Sequence, residues 1–395
     1  MAQPLTAPPL GLYVHLPWCV QKCPYCDFNS HALRGELPEQ AYIAALLKDA
    51  GFEAARAGGR PIETLFIGGG TPSLFSAAAI DTLLTGLRQR LTIDPAAEVT
   101  LEANPGTLEA GRFEGFLAAG VNRLSIGVQS FRADHLQRLG RIHGGDEARQ
   151  AISAARDAGF ERINVDLMHG LPGQTGDEAV ADVRQALDLG IRHLSHYQLT
   201  LEPGTAFHAR PPALPDEDAL ADIEAACAGR IREAGLSRYE VSAWSVPGEE
   251  CRHNLNYWRF GDYLAIGAGG HAKLTLDDGR IVRTQKQRWP RAYQAAAGRD
   301  AAVVETRAVS PEERPLEYLM NALRLTEGTS MEAAMARTGL TASAFEPGLS
   351  EGRRRGLLVD DPWRLQATAL GQRFLDDLLD LFLTPAIAER ETKTG

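Results

Sequence analysis

Between residue 11 and about residue 235, short apolar runs alternate with amphipathic stretches. The runs at 11–16, 64–67, 98–102, 123–128, 163–168 and 193–199 have strand length and predict β-structure. Between them, Ile43, Leu46, Leu47 and Ala50 recur on one helical face. Val180, Val183 and Leu187 do the same, behind a capping box of Thr175 and Glu178. Six strand–helix units in series require a parallel sheet with helices outside it, because a right-handed crossover returns each strand beside the last. Six are too few to close an eight-stranded barrel. The predicted fold is therefore α/β, a partial (β/α)6 barrel over residues 1–235. Functional side chains in such sheets collect at the carboxyl ends of the strands.

A Pro-rich connector at 209–215 precedes a helix with Leu220, Ile223, Cys227 and Ile231 on one face, where Cys227 reads as a small core residue. Residues 236–305 read as an irregular, aromatic-rich segment. A third region, 306–395, opens with Ser310, Pro311 and Glu313 in a helix-start pattern. Leu316, Leu319, Met320 and Leu323 give that helix a buried face; two more helical patterns follow. Residues 356–365 then predict strand–turn–strand, and 372–382 a last helix. Helices followed by a hairpin make a winged-helix-like region. A winged helix usually suggests DNA, but the net charge of −10 argues against nucleic acid, and the run Arg353, Arg354, Arg355 reads as a solvated helix end. The region is read as a lid or docking module.

The remaining composition narrows the setting. A chain of 395 residues has room for more than one domain. The N-terminal ten residues lack the basic start and apolar run of a signal peptide. No stretch approaches the ~20 apolar residues of a membrane span, so an integral membrane protein is not expected. Five cysteines, three of them clustered, do not make a disulfide framework and suit the reducing cytoplasm.

Those three, Cys19, Cys23 and Cys26, form C-x3-C-x2-C on one loop, and the next cysteine is Cys227. Structural zinc sites and ordinary four-cysteine clusters close with a fourth protein ligand. Three thiolates and a vacancy suit a [4Fe-4S] cluster with one open iron; the other reading is zinc completed by His15 or Asp27. Downstream, Gly68, Gly69, Gly70 and Thr71 end the second strand, where glycines let backbone approach a ligand. Glu102, Gln129 and Asp166 end the next three strands, and Arg141 follows in a loop. Polar groups at central strand ends are costly to bury without partners. Three on successive strands facing one mouth point to a polar ligand.

Together the cysteine loop and the Gly-rich strand end resemble the radical S-adenosylmethionine (SAM) superfamily. The resemblance implies a [4Fe-4S] cluster on Cys19, Cys23 and Cys26, with SAM chelating the open iron. It implies Gly69, Gly70 and Thr71 beside the SAM amino group and Tyr25 beside the adenine, while Tyr13, on the first strand six residues before Cys19, is read from its position as a cover for the cluster. Glu102, Gln129, Arg141 and Asp166 match SAM-contacting positions of the coproporphyrinogen oxidase-like branch. Oxidases of that branch carry another cysteine where this chain has Phe28, and an N-terminal extension ahead of a first strand that here begins near residue 11. In both respects the chain is similar to the HemW-type haem chaperones, as it is in the H-N-x-x-Y-W segment from His253 to Trp258. That likeness implies His253 as a haem ligand, Cys251 as a candidate second ligand, and Tyr257 and Trp258 as flat surface for the porphyrin. It also implies delivery of haem to acceptor apo-haemoproteins, membrane respiratory cytochromes among the candidates, and a homodimer as a candidate assembly. The alternative is an oxygen-independent coproporphyrinogen III oxidase; a zinc-dependent DNA-binding regulator conflicts with the acidic charge.

Overall fold

The computed structural model describes residues 5, 7–106 and 111–383; the opening residues of the targeting-signal reading lie largely outside them. The six expected strands are β1 (Leu10–Leu16), β2 (Ile62–Gly69), β3 (Ile93–Ala103), β4 (Arg123–Gln129), β5 (Ile163–His169) and β6 (His193–Gln198). They lie side by side in chain order and all pair in parallel. Helices α1 (Glu39–Ala57), α2 (Ala77–Arg88), α3 (Phe113–Ala119), α4 (Gly145–Asp157) and α5 (Gly176–Asp188) make the crossovers, and α6 (Glu217–Glu233) follows β6. The Thr175 capping box forms as read: the Thr175 amide donates to Glu178 Oε2 (2.9 Å) and the Glu178 amide to Thr175 Oγ1 (3.4 Å).

Side-chain alternation sorts each strand into two faces. Leu12, Val14, Leu65, Ile67, Leu101, Ile126 and Val165 are fully buried and share one core with the helices. The opposite face is polar and runs in register from strand to strand: Glu102 beside Ser125, Ser125 beside Asn164, and Asp166 beside Gly127 and Ser195. Buried inside the barrel, these groups satisfy one another. Asn164 Nδ2 donates to Ser125 Oγ (2.8 Å) and Asp166 Oδ1 (2.7 Å), while its Oδ1 lies 2.6 Å from His193 Nδ1.

Residues 236–305 are not irregular. They supply β7 (Ser237–Glu240) and β8 (Ala243–Ser245), then α7 (Arg252–Trp258), then β9 (Asp262–Ile266), β10 (His271–Thr275) and β11 (Ile281–Lys286). With β12 (Val303–Val309), which runs across the boundary read at residue 306, these strands form one twelve-stranded sheet ordered β12-β11-β10-β9-β1-β2-β3-β4-β5-β6-β8-β7. β9 joins β1 in parallel, whereas the outer strands on both sides are antiparallel. Their apolar pattern is interrupted by buried charge. Lys273 and Lys286 are 2% and 1% exposed, and each reaches a carboxylate inside the fold.

Two such clusters fasten the added strands to the barrel. Asp262 accepts from Lys273 Nζ (3.0 Å), Arg60 Nη1 (2.8 Å) and the amide and hydroxyl of Thr275. Lys286 Nζ donates to Asp49 (2.7 Å) and Glu53 (2.5 Å) of α1, and Tyr293 Oη donates to the other Asp49 oxygen at 2.7 Å.

A second apolar core joins the barrel extension, through Phe260 and Ile281, to the C-terminal helices. The first of these, α8 (Arg314–Ala322), starts three residues later than the Pro311 signal implied, although the Ser310 amide does donate to Glu313 Oε2 at 2.8 Å. Leu316, Leu319 and Leu323 are buried as read, but Met320 is 52% exposed. Helices Met331–Thr338 and Gly348–Arg354 follow, then a slender hairpin held by the Leu358–Ala367 bridge. Its second arm pairs at Arg364–Leu365 with Thr329–Ser330. The last helix is broken at Phe374 into Ala369–Arg373 and Leu375–Asp380. Arg354 and Arg355 pair with Glu351 on the surface, the solvated helix end read from the sequence.

Removing the cation from a buried ion cluster leaves uncompensated carboxylates, at about 3–5 kcal/mol. Lys286→Met is expected to lose stability of that order in chemical denaturation, whereas Arg354→Ala, at an exposed pair, should leave it nearly unchanged. Equal, small losses in both would mean that the Lys286 cluster does not fasten the extension.

Candidate functional site

Cys19 ends a two-residue ladder, Trp18–Cys19 beside His31–Ala32, and the loop between carries the other two cysteines. The Cys26 amide closes a turn on Cys23 O (3.2 Å), and Lys22 Nζ ties the loop by donating to Phe28 O (3.0 Å) and Ser30 O (3.3 Å). All three thiols are half-buried and line one cavity of about 380 Å³ at the carboxyl ends of the strands. The same cavity is lined by Tyr25, Gly69, Gly70, Thr71, Glu102, Gln129, Arg141 and Asp166. Cys227 and Cys251 are buried elsewhere; Cys251 Sγ faces Glu98 Oε1 at 3.6 Å and offers nothing to this cavity.

Three half-buried thiols on one loop, with no further cysteine in the cavity, fit a cubane cluster that takes each thiolate on a separate iron. His15, offered as a fourth zinc ligand, has both ring nitrogens engaged, with Tyr13 Oη (3.1 Å) and Asn29 O (2.9 Å). Among the described residues one trio does draw its ligating atoms within 4.8 Å, Asp134, His135 and Glu178. Arg132 already bridges its two carboxylates at 3.2 and 3.0 Å, so it is an ion-pair cluster.

Backbone closeness explains the glycines. A Cβ on Gly70 would lie 2.5 Å from Trp18 O, and Gly69, at φ +118°, would drive one into the His15 ring at 2.6 Å. Gln129 itself sits at φ +68°, a left-handed backbone that a non-glycine residue adopts at some cost. The bulge there turns its side chain so that Oε1 accepts from Tyr197 Oη at 2.8 Å. Arg141 donates to Asn104 Oδ1 (2.8 Å) and Gly127 O (2.6 Å) and reaches Cys23 Sγ at 3.8 Å. Asn104, Ser30 and Tyr197 were not singled out in the sequence. Asn104 was findable, since Asn104-Pro105 closes the strand end that carries Glu102, and it bridges Thr71 Oγ1 (3.0 Å) to Arg141.

Two carboxyls dominate the electrostatics. Desolvation, then the nearby Asp166 carboxylate, push Glu102 up to about 7 against the pull of the Gly69 amide, which donates to it at 3.1 Å. Burial raises Asp166 as well, although Asn164 and Ser125 donate to it. A pair of carboxyls held short of cationic partners, beside exposed backbone and three thiols, fits the ammonium group of SAM and a three-thiolate cluster.

Tyr13 does not join this cavity. It stacks on Phe66 (ring centroids 6.3 Å apart) and lines a second cavity of about 660 Å³, with Phe28, Tyr257, Trp258 and Tyr263. The two cavities share Asp27, Phe28, Gly69 and Glu102 as a common wall. His253 is not on the surface of either. It is 1% exposed, stacked on Phe66, with Nδ1 hydrogen-bonded to Thr64 Oγ1 and Nε2 to Tyr257 Oη, both at 2.8 Å. Burial pulls it down to about 4, so the ring is neutral and both nitrogens are spent on the protein. In this fold the His253 ring stands behind the second cavity and holds Tyr257 in its wall.

A cation prefers carboxylate over carboxyl, so its affinity should track ionisation of Glu102. SAM affinity is expected to rise about tenfold per pH unit below 7 and to level off above it, and Glu102→Gln should flatten that rise. Anaerobic calorimetry across pH 5.5–8.5 reads this (a working range of about three units). A pH-dependent profile unchanged in the variant would assign the titration to another group.

Residues 13–186 match the model of the radical SAM superfamily, and residues 309–374 that of the HemN C-terminal domain. The chain is 52% identical over 378 residues to the heme chaperone HemW of Escherichia coli (strain K12), covering 95% of this chain and 98% of that protein. It is 48% identical over 381 residues to the heme chaperone HemW of Haemophilus influenzae, covering 95% and 98%. The corresponding Bacillus subtilis (strain 168) protein is 31% identical over 381 residues, covering 94% and 98%. Among solved structures, the coproporphyrinogen III oxidase HemN of Escherichia coli superposes with a TM-score of 0.81 over 96% of this chain and 91% of that one, at 22% identity. That likeness extends to the fold; the full-length identity to the curated relatives carries further, and by it the chain belongs to the HemW heme chaperone family within the radical SAM superfamily.

Proposed function

We propose that the chain binds haem and delivers it to acceptor haemoproteins in the cytoplasm, using a [4Fe-4S] cluster and SAM. The observation that carries this reading is the second cavity. Its aromatic wall of Tyr13, Phe28, Tyr257, Trp258 and Tyr263 offers the flat apolar surface a porphyrin needs, and it adjoins the cysteine cavity. The full-length likeness to proteins named heme chaperone supports it independently. No helix among the described residues is long and apolar enough to cross a membrane.

Cys19, Cys23 and Cys26 would hold the cluster, and Glu102, Asp166, Gln129 and the Gly69–Thr71 backbone would receive SAM. A cluster with an open iron supplies SAM with one electron. The protein's own part is to keep two carboxyls unneutralised at the mouth, to brace Asp166 through Asn164 and Ser125, and to set Arg141 against Cys23. The oxidase alternative is not favoured. The oxidase shares the fold at 22% identity, and position 28, where such enzymes carry a cysteine, is an exposed phenylalanine.

Anaerobic reconstitution with iron and sulfide, followed by parallel assays with haem and with coproporphyrinogen III, tests the proposal. Haem should bind with a defined Soret band and no decarboxylation should occur. Robust decarboxylation without haem retention would return the chain to the oxidases. Within the same preparation, Asp166→Ala should weaken SAM binding about tenfold or more while the cluster absorption stays intact. Unaltered SAM affinity would leave Asp166 a purely structural member of the interior network.

A further inference from the structure

The second cavity contains one histidine whose ring is uncommitted. Of the imidazoles on its wall, His15 has both nitrogens in hydrogen bonds, and His253 behind the wall is likewise spent. His271, the first residue of β10, is exposed at the cavity and, among the described residues, makes no hydrogen bond through its ring. It pairs in register with Gln285, which lines the same cavity, so a strand rather than a loop fixes its position. Desolvation lowers its pKa, keeping it in the neutral form that ligates iron. Arg288 lines the same cavity, and its guanidinium makes no hydrogen bond or ion pair among the described residues. By contrast, the neighbouring Arg283 is taken up by Glu317 and Tyr263.

An iron porphyrin presents three things to a protein: a flat apolar face, a metal wanting an axial nitrogen, and two carboxylates at one edge. The aromatic wall, His271 and Arg288 offer the three matching groups in one cavity. Resting on the reading of this chain as a haem carrier, we infer that haem lies in the second cavity with the His271 imidazole as its axial ligand and Arg288 paired with a propionate.

A larger cavity, about 840 Å³, lies between the barrel and the C-terminal helices and holds His169 and His196. Their rings stack face to face 4.5 Å apart, but the larger aromatics of that lining are only Tyr197 and Trp244, against Tyr13, Phe28, Tyr257, Trp258 and Tyr263 in the second cavity. The second cavity is the better match in flat aromatic surface.

Haemin and metal-free protoporphyrin IX are titrated in parallel into the reconstituted full-length protein and its variants, read by Soret absorption and electron paramagnetic resonance. His271→Ala should lose the nitrogen-ligated signature and about tenfold or more of haemin affinity, yet bind the metal-free porphyrin as the wild type does. Added imidazole should restore the signature. His253→Ala should weaken both porphyrins alike, since it loosens Tyr257 rather than a bond to iron. Arg288→Ala should weaken both, and more so than for porphyrin dimethyl ester, which has no free carboxylates. Three results overturn the assignment while leaving haem carriage intact. One is an unchanged haem signature in His271→Ala. A second is loss of the signature in His253→Ala with metal-free binding unaffected. The third is loss in His196→Ala, which would move haem to the larger cavity. Failure of wild-type protein to bind haemin at all would instead reject the carrier reading itself.

Discussion

A parallel sheet wrapped into an open barrel has an inner face that must be filled, and here it is filled with polar groups. Everything at the mouth depends on their being satisfied from within. Burying an unpaired amide, imidazole or carboxylate costs a few kcal/mol each, so the interior network closes on itself. His193 meets Tyr239 on one nitrogen (2.9 Å) and Asn164 on the other, and Asn164 passes its amide hydrogens to Ser125 and Asp166. At the carboxyl ends the two carboxyls lack close cationic partners. Glu102 and Asp166 lie there with raised pKa values, and that is where the thiols converge. The site is the end of the barrel at which the protein stops supplying its own partners.

At the other end of the interior, one carboxylate organises the second wall. Glu98 accepts from the amides of Arg252 and His253 and pairs with Arg162 at 2.6 Å. Burial pushes its pKa up, but Arg123, Arg162 and those amides outweigh burial and hold it below the usual range. It thereby caps the start of α7 from a distant strand, as an anion at a helix N-terminus should. The grip sets the helix so that His253 turns inward to Thr64 and Tyr257 turns outward to the aromatic cavity. Histidine and tyrosine, four residues apart on one helix, thus do different work: one anchors and the other lines.

Much of this was legible in the sequence where signals are local. The six barrel strands appear within a few residues of the apolar runs, because burial against helices demands those runs. The cysteine loop, the glycines and the polar strand ends follow from spacing alone. What was hidden depends on partners far along the chain. Nothing near His253 says that Thr64, 189 residues away, takes one of its nitrogens. The strands of 236–305 escaped because Lys273 and Lys286 read as surface residues, while in the fold each neutralises a buried carboxylate. Tyr13 was assigned to the cluster from its distance in sequence, but strand alternation sends it towards Phe66 and the neighbouring cavity.

The partition between the two cavities is thin. It is made largely of Gly69, Glu102 and the Asp27–Phe28 turn, so the Glu102 carboxyl, with its raised pKa, faces both spaces. A cation arriving on one side draws the proton off Glu102, and whatever occupies the other side then meets a negative charge where a neutral group had stood. By thermodynamic linkage the influence runs equally in reverse: each occupant alters the other's affinity by the same factor. Two chambers that share such a wall would be coupled without any movement of the backbone.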